Sequence, residues 1–318
     1  MTRLLTLLIV LTLIALPVVA QTKDKVRPQA APKRVDCDAG GKIGAAMVMM
    51  KPGDTILVKG TCRENVAVTN ETARLTLDGQ GTATIDAPDL DRGAIEVTGR
   101  DITIRGFTIT GGRHGINVVR GATAIIANNV IHHTGPRAGP GRGFGIEIGQ
   151  QSFASIVGNT IRDNPRYGIH VGESSAARIG FIDIEIQGGG NVIENNGQFG
   201  VAVSGTSNAR IVGNTIRKNV GDGVQINANS YARVAGNVIS GNGGSGVFVT
   251  DNSAVNFGES VNTANPYVSP NTTEASLLNV GAGIRCENGG AVKNHVGSLN
   301  GREGVKRFDK SCSDSNLK

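Results

Sequence analysis

Apolar and polar residues alternate along much of the chain in short runs, which is the period of β-strands. One run reads Gly, an aliphatic residue, any residue, then an aliphatic residue or Cys. It begins at Gly115, Gly145, Gly168, Gly200, Gly223, Gly246 and Gly283. A second run, Asn-(Val/Thr)-Ile, begins at Asn129, Asn159, Asn191, Asn214 and Asn237. Strands this short cannot bury a face alone, so the pattern predicts coils that stack around a continuous core.

The two runs keep a fixed spacing. Gly200 lies 14 residues before Asn214, and Asn214 lies nine residues before Gly223, which together give a coil of 23 residues. A leucine-rich repeat has a similar length, but its Leu framework is missing here. The spacing therefore predicts an all-β fold, a right-handed parallel β-helix with three short strands in each coil. The recurring Asn residues are predicted to form an inward, self-pairing amide ladder at one turn.

The two ends of the chain differ from the repeat. Residues 1–20 combine Arg3, an apolar run over 4–16 and small residues before Gln21, so we expect a signal peptide cleaved after Ala20. An uncleaved anchor is the alternative, although the run is short for a membrane span. We expect a flexible leader over 21–36, the β-helix over 37–290 and a C-terminal cap over 291–318. A short amphipathic helix over 40–50 is expected to cap the N-terminal end of the β-helix. The protein is then secreted or periplasmic, with no integral membrane segment after cleavage.

Cysteine usage and charge narrow the chemistry. An even number of cysteines outside the cytoplasm favours disulfides, and we expect the pairs Cys37–Cys62 and Cys286–Cys312, one at each end of the stack. Neither His residues nor paired Cys spacing supports a metal site, so no metal or other cofactor is expected. A net charge of +6 suits an acidic glycan or an anionic surface, or solubility alone. No basic run is dense enough to predict nucleic-acid binding.

The opening coils resemble those of the pectate-lyase-like superfamily of right-handed β-helix proteins. The resemblance rests on Lys51-Pro-Gly-Asp-Thr-Ile, Arg63-Glu-Asn-Val and Leu77-Asp-Gly-Gln-Gly-Thr, together with the two repeated runs, and covers about residues 37–290. It implies the fold but no single chemistry, because this fold hosts lyases, hydrolases, esterases, epimerases and proteins without enzyme activity. The Asp-Pro-His-Asp signature of mannuronan epimerases, the paired-Asp motifs of polygalacturonases and a calcium-binding acidic cluster are all missing. No known catalytic set carries over.

The variable position of the Gly-containing run points to solvent if its two aliphatic neighbours point inward. Along the stack it holds Glu96, Asn117, Glu147, His170, Ala202, Gln225, Phe248 and Arg285. Adjacent rungs lie about 4.8 Å apart, so Glu147 and His170 are expected to touch. Gly149 and Gly172, at the next outward position, are expected to leave the sheet surface beside them uncovered. Two insertions, within 131–144 and 172–190, interrupt the repeat around this pair, and insertions in a solenoid mark its working face.

These positions supply the candidate site. For catalysis we expect His170 as a base oriented by Glu147, with Arg142 or Arg166 as a cation that stabilises developing negative charge. For substrate binding we expect Asn117, His132, His133 and Tyr167. The bland alternative is a solvated Glu–His pair on an ordinary surface.

Two further alternatives concern neighbouring side chains. The adjacent His132 and His133 look like a metal clip, but neighbouring residues of a strand point to opposite sides. Phe144, Tyr167 and Phe199 each precede a Gly of the repeat, which fits a stack of aromatic rings in the interior or at a turn better than a sugar platform. The sequence thus predicts an exported β-helix protein that binds or modifies a polysaccharide, either an acidic or a neutral one, in a lyase- or epimerase-like way. A non-catalytic structural or surface scaffold is the alternative.

Overall fold

The computed structural model describes residues 31–135, 143–181, 189–258 and 269–315. The predicted signal peptide and Arg142 lie outside these ranges. No helix within them is long and apolar enough to cross a membrane.

Short strands make up most of the described chain. The first ten are β1 (Lys33–Asp36), β2 (Thr55–Lys59), β3 (Thr61–Cys62), β4 (Val66–Val68), β5 (Thr76–Ala87), β6 (Ile95–Val97), β7 (Ile102–Gly111), β8 (His114–Val118), β9 (Thr123–Ala127) and β10 (Val130–His132). The next nine are β11 (Phe144–Ile148), β12 (Phe153–Val157), β13 (Thr160–Arg162), β14 (Ile169–Val171), β15 (Ala176–Gly180), β16 (Val192–Glu194), β17 (Val201–Val203), β18 (Asn208–Val212) and β19 (Thr215–Arg217). The last nine are β20 (Val224–Ile226), β21 (Tyr231–Ala235), β22 (Val238–Ser240), β23 (Val247–Val249), β24 (Ala254–Phe257), β25 (Ile284–Cys286), β26 (Ala291–Lys293), β27 (Lys306–Phe308) and β28 (Ser313–Ser315).

These strands pair in parallel with the equivalent strands of the next coil and form three faces. Face 1 is the ladder β4-β6-β8-β11-β14-β17-β20-β23-β25-β27. Face 2 is β1-β2-β5-β7-β9-β12-β15-β18-β21-β24-β26-β28, and face 3 is β3-β5-β7-β10-β13-β16-β19-β22. The long strands β5 and β7 run through both of the latter faces. The predicted right-handed parallel β-helix is confirmed.

The core follows from the alternation within each strand. On face 1 the side chains of Ile146, Ile169 and Val201 stack in register and are fully buried. Each such aliphatic side chain contributes about 1.5–3 kcal/mol by burial, and only the stack makes that burial possible. The predicted strand parity of this face is therefore confirmed.

The predicted Asn ladder is present and longer than expected. Asn129, Asn159, Asn191, Asn214, Asn237 and Asn271 are buried at one turn, and each amide nitrogen donates to the amide oxygen of the next. A second ladder, which the sequence reading missed, joins Asn164, Asn196, Asn219, Asn242 and Asn279. The amides satisfy backbone groups that each turn leaves buried, so both ladders are structural.

Both ends of the stack are closed. Helix α1 (Ile43–Met47), shorter than the predicted 40–50, buries Ile43 and Met47, and the Glu64 carboxylate accepts hydrogen bonds from its first two amides. The predicted disulfides Cys37–Cys62 and Cys286–Cys312 are confirmed. Strand β1 lies within the predicted leader, and β26, β27 and β28 continue the faces through the predicted C-terminal cap.

Candidate functional site

The outward positions of face 1 carry the candidate site. Strand pairing places Asn117 opposite Glu147, Glu147 opposite His170, and His170 opposite Ala202. Gln225 follows on the next rung. The order of side chains along this ladder is the one that the spacing of the repeat predicts.

Glu147 and His170 make direct contact. His170 Nδ1 lies 2.8 Å from Glu147 Oε2, and the two side chains are only 17% and 14% exposed. An ionised carboxylate can only accept, so Nδ1 carries the proton in this hydrogen bond. The contact fixes both the orientation and the tautomer of the imidazole.

A third side chain extends this contact. His170 Nε2 lies 2.8 Å from Ser204 Oγ, in the turn that follows β17. With Nδ1 protonated, Nε2 of the neutral imidazole accepts the hydroxyl proton of Ser204. The sequence reading missed Ser204, although it occupies the outward position that Gly149 and Gly172 hold in the two preceding coils.

The uncovered sheet surface predicted at Gly149 and Gly172 is not present, because the side chains of Glu147 and His170 lie over the two glycines. A Cβ at Gly172 would lie 2.7 Å from His170 Cε1, and one at Gly149 would lie 3.2 Å from Glu147 Oε1. The absence of side chains there lets the imidazole and the carboxylate lie along the sheet. Glycine at 172 is therefore part of how the ring is positioned.

A polar cavity of about 270 Å³ opens beside the Glu147–His170 pair. Asn117 lines it from the rung below, and Arg113, Gln150 and Glu173 add further polar groups. Its size is near the lower end of the roughly 300–1,000 Å³ usual for small-molecule pockets. Larger cavities flank α1. The described residues that line them include no His, and neither lining contains both an Arg and a Glu.

An aromatic stack forms one wall. The rings of His114, Phe144, Tyr167 and Phe199 follow each other at centroid distances of 4.8, 4.7 and 5.2 Å. Phe144 lines the cavity, and Tyr167 lies 5.6 Å from the His170 ring. The predicted turn stack is present, and it packs the side of the imidazole.

The other expected residues do not line the cavity. The Arg166 guanidinium lies 5.2 Å from the Tyr167 ring centroid, and its Nε donates to Gln198 Oε1. His132 and His133 lie at the end of β10 on face 3. The structure thus brings together Asn117, Glu147 and His170, with Tyr167 and Arg166 beside them, and leaves His132 and His133 on face 3.

Neighbouring residues of a strand are expected to point to opposite sides, but His132 and His133 point to the same side. Strand β10 ends at His132, and His133 has φ +50°, so its side chain turns back until the two Nδ1 atoms are 2.7 Å apart. Burial, together with Arg162 and His133, lowers the pKa of His132. A lowered pKa favours the neutral form of the His132 imidazole, which is the form that binds metals.

Comparison with known proteins gives a family and a fold. A family model described as "Periplasmic copper-binding protein (NosD)" matches residues 53–257. An alginate lyase from Paenibacillus sp. str. FPU-7 has a similar structure, with a TM-score of 0.57, 15% identity, and coverage of 88% of this chain and 99% of that one. The pectate lyase Pel9A is 13% identical, with a TM-score of 0.45 and coverage of 91% and 79%. No curated protein matches the chain.

The copper in that family description can be tested against the donors present. Among the described residues, the group of three or more His, Cys, Asp or Glu side chains that converge is Cys37, Cys62 and Glu64. Its two sulfurs form a disulfide and cannot act as thiolate ligands. His132 and His133 offer two nitrogen donors. Among the described residues, copper would therefore find two adjacent nitrogen donors and no convergent set of three His, Cys, Asp or Glu ligands outside the disulfide.

Proposed function

This chain belongs to the NosD family of periplasmic β-helix proteins, and we propose that it binds a polysaccharide on face 1 and modifies it at His170. Family membership and the β-helix fold agree with a secreted or periplasmic location, where polysaccharides are available as ligands. The similarity to an alginate lyase supports the proposal only in showing that this scaffold can carry glycan chemistry in another protein.

The cavity offers the groups that sugar recognition needs. The amides of Asn117 and Gln150 can exchange hydrogen bonds with sugar hydroxyls, while Arg113 suits a uronate carboxylate. The Tyr167 and Phe199 rings are partly exposed and extend the wall along the stack. Arg113 offers one cation to an acidic glycan, whereas Glu147 and Glu173 in the same lining are acidic, so acidic and neutral glycans are both candidates.

His170 is the residue best placed to move a proton. Glu147 holds its Nδ1, which leaves Nε2 as the basic nitrogen. Removal of the proton beside a uronate carboxylate, the first step of elimination or epimerisation, needs such a base and a cation for the developing charge. In place of the expected Arg142 or Arg166, we assign the cationic role to Arg113, which lines the cavity.

The observation that carries this proposal is the oriented imidazole inside a polar cavity. The test is a screen of the purified protein against acidic and neutral polysaccharides, following binding by calorimetry and unsaturated products by ultraviolet absorbance. His170→Ala should lower turnover about 100-fold or more. Gln225→Ala, two rungs along the same ladder, should leave turnover within twofold. Binding without turnover would make face 1 a recognition surface, and the absence of both would favour the scaffold alternative.

Copper binding is a second candidate function, favoured by the His132–His133 contact. Two nitrogen ligands in neighbouring coordination positions, each about 2.0 Å from one metal ion, lie a little under 3 Å from each other. The two Nδ1 atoms of His132 and His133 are 2.7 Å apart. Two nitrogen donors with solvent in the remaining positions suit copper held as cargo rather than as a resident cofactor.

Copper titration followed by electron paramagnetic resonance tests this second function. The spectrum of bound Cu²⁺ should show two coupled nitrogens and should be lost in His133→Ala, while His295→Ala should retain it. A copper signal that survives in His133→Ala would contradict the assignment.

A further inference from the structure

The hydrogen-bonded chain Glu147–His170–Ser204 ends in a hydroxyl group that proton abstraction from a sugar carbon does not require. We propose that Ser204 is a nucleophile that removes O-acyl groups from the glycan. This proposal rests on the proposed function for the class of substrate, since acyl esters on sugars are the esters that a glycan site would meet.

The geometry is that of an acid–base–nucleophile relay. The Glu147 to His170 and His170 to Ser204 distances are both 2.8 Å, within the 2.6–3.2 Å or so that activation of a nucleophile needs. The three side chains come from three successive coils, so the rigid stack of β11, β14 and β17 sets their spacing. The same arrangement of roles recurs on unrelated folds and is recognised by geometry rather than by sequence order.

The environment of Ser204 differs from that of other turn hydroxyls on this side of the stack. The Ser174 hydroxyl pairs with Thr206, and the Thr250 hydroxyl pairs with Asp251, so neither contacts an imidazole. Ser204 is partly exposed, as a group that must reach a substrate has to be.

A donor for the developing oxyanion is also at hand. The backbone amide of Gly205 directly follows the nucleophile, the relation that one oxyanion-hole amide has in serine hydrolases. Within the part of the chain that the structure describes, this amide donates to no protein acceptor. It is therefore available to a substrate oxygen.

The chemical steps balance without a cofactor. Ser204 Oγ bonds to the acyl carbon as its proton passes to His170 Nε2, and the acyl carbon–oxygen bond to the sugar breaks as that proton passes to the sugar oxygen. Water then attacks the acyl carbon as its proton passes to His170 Nε2, and the bond from the acyl carbon to Ser204 Oγ breaks as that proton returns to Oγ. The products are the free sugar hydroxyl and a carboxylic acid. Glu147 stabilises the imidazolium that forms in each step.

The test combines turnover with covalent labelling. The purified protein is incubated with an O-acetylated acidic polysaccharide, with acetate release as the readout, and separately with a fluorophosphonate probe, whose attachment point is mapped by peptide mass spectrometry. We expect label on Ser204 and a loss of acetate release of at least about 1,000-fold in Ser204→Ala. Ser174→Ala is the matched control, an exposed turn serine one coil away, and should keep both signals.

The outcomes separate this inference from the proposed function. Ser204→Ala should still bind the polysaccharide and keep its circular dichroism spectrum, because only a hydroxyl at a partly exposed position is lost. Polysaccharide binding by the wild-type protein without acetate release or label would overturn the acyl-transfer inference alone. Acetate release that persists in Ser204→Ala would also overturn it. A wild-type protein that does not bind the polysaccharide would contradict the proposed function itself.

Discussion

Two polar ladders cross the same coils, and they are built in different ways. The buried ladder repeats one residue, as at Asn159, Asn191 and Asn214, with amide contacts of 2.9–3.0 Å and almost no exposed surface. The outward ladder of face 1 keeps the same regular register but changes residue at every rung, from Asn117 to Glu147 to His170. It is partly exposed and borders a cavity.

The difference distinguishes polar residues that support the fold from polar residues that form a functional site. Every coil presents the same buried turn, so one residue type meets the same requirement each time. A solvent-facing rung imposes no such common requirement, and the change of residue there reflects what one location must do. Repetition in register therefore indicates structure, and departure from repetition within the same register indicates a site.

The largest expected effect belongs to the buried ladder. Asn191→Ala removes an oxygen that accepts from the backbone and side-chain nitrogens of Asn159, and a nitrogen that donates to Ile156 and Asn214. Because unsatisfied buried groups cost about 1–3 kcal/mol each, we expect a loss of at least about 3 kcal/mol in the free energy of unfolding. Denaturant unfolding, with Gln225→Ala as the control, provides the measurement. A loss below about 1 kcal/mol would show that the ladder is dispensable.

A second effect of similar size depends on pH. Asp222 continues the line of positions that hold Phe144, Tyr167 and Phe199, and burial raises its pKa from 3.8 to about 6. The folded protein then holds a proton that the unfolded chain releases, so stability should fall as pH rises from about 4 to about 6. Two pKa units correspond to about 3 kcal/mol.

Asp222→Asn should remove this dependence. The amide oxygen can still accept the hydrogen bond from the Ser245 backbone amide, but no charge is buried at neutral pH. Unfolding midpoints at several pH values should be flatter for this variant between pH 4 and 6, and higher than wild type at pH 7. Asp314→Asn, on the exposed strand β28, should keep the wild-type profile. An unchanged slope in Asp222→Asn would contradict the assignment.

A smaller effect on stability tests how the outward ladder is positioned. In Gly172→Ala the new methyl group would lie 2.7 Å from His170 Cε1 and should displace the ring from Glu147 and Ser204. We expect about 1 kcal/mol of destabilisation, together with loss of the protected His170 Nδ1 proton signal in nuclear magnetic resonance spectra. In Gly149→Ala the closest contact, 3.2 Å, is to a flexible carboxylate, so the signal should persist. Persistence in both variants would show that the glycine at 172 is incidental.

The sequence predicts most of what the repeat controls. The stacking, the strand parity, the first Asn ladder and the Glu147–His170 contact all follow from regular spacing, because each coil repeats one solution. The second Asn ladder was readable in the same way, since Asn164, Asn196, Asn219 and Asn242 each follow the first set by five residues.

The features that the sequence did not predict occur where the repeat stops. The orientation of His133 depends on a left-handed backbone one residue beyond β10, which invalidates the alternation rule for strands. Ser204 was hidden because its turn position holds glycine in the two preceding coils. Arg113 lines the cavity from a turn between β7 and β8, where no periodic pattern indicates the direction of a side chain.

A crystal structure with a bound oligosaccharide would show whether the changing ladder of face 1 is the glycan site. The ligand would be prepared from the polysaccharide that binds most strongly in the screen. We expect sugar density in the cavity, with a hydroxyl or carboxylate oxygen within hydrogen-bond distance of His170 Nε2 or Arg113. Density elsewhere, such as along Arg178, Arg210 and Arg233 on face 2, with the cavity of face 1 free of sugar, would contradict it.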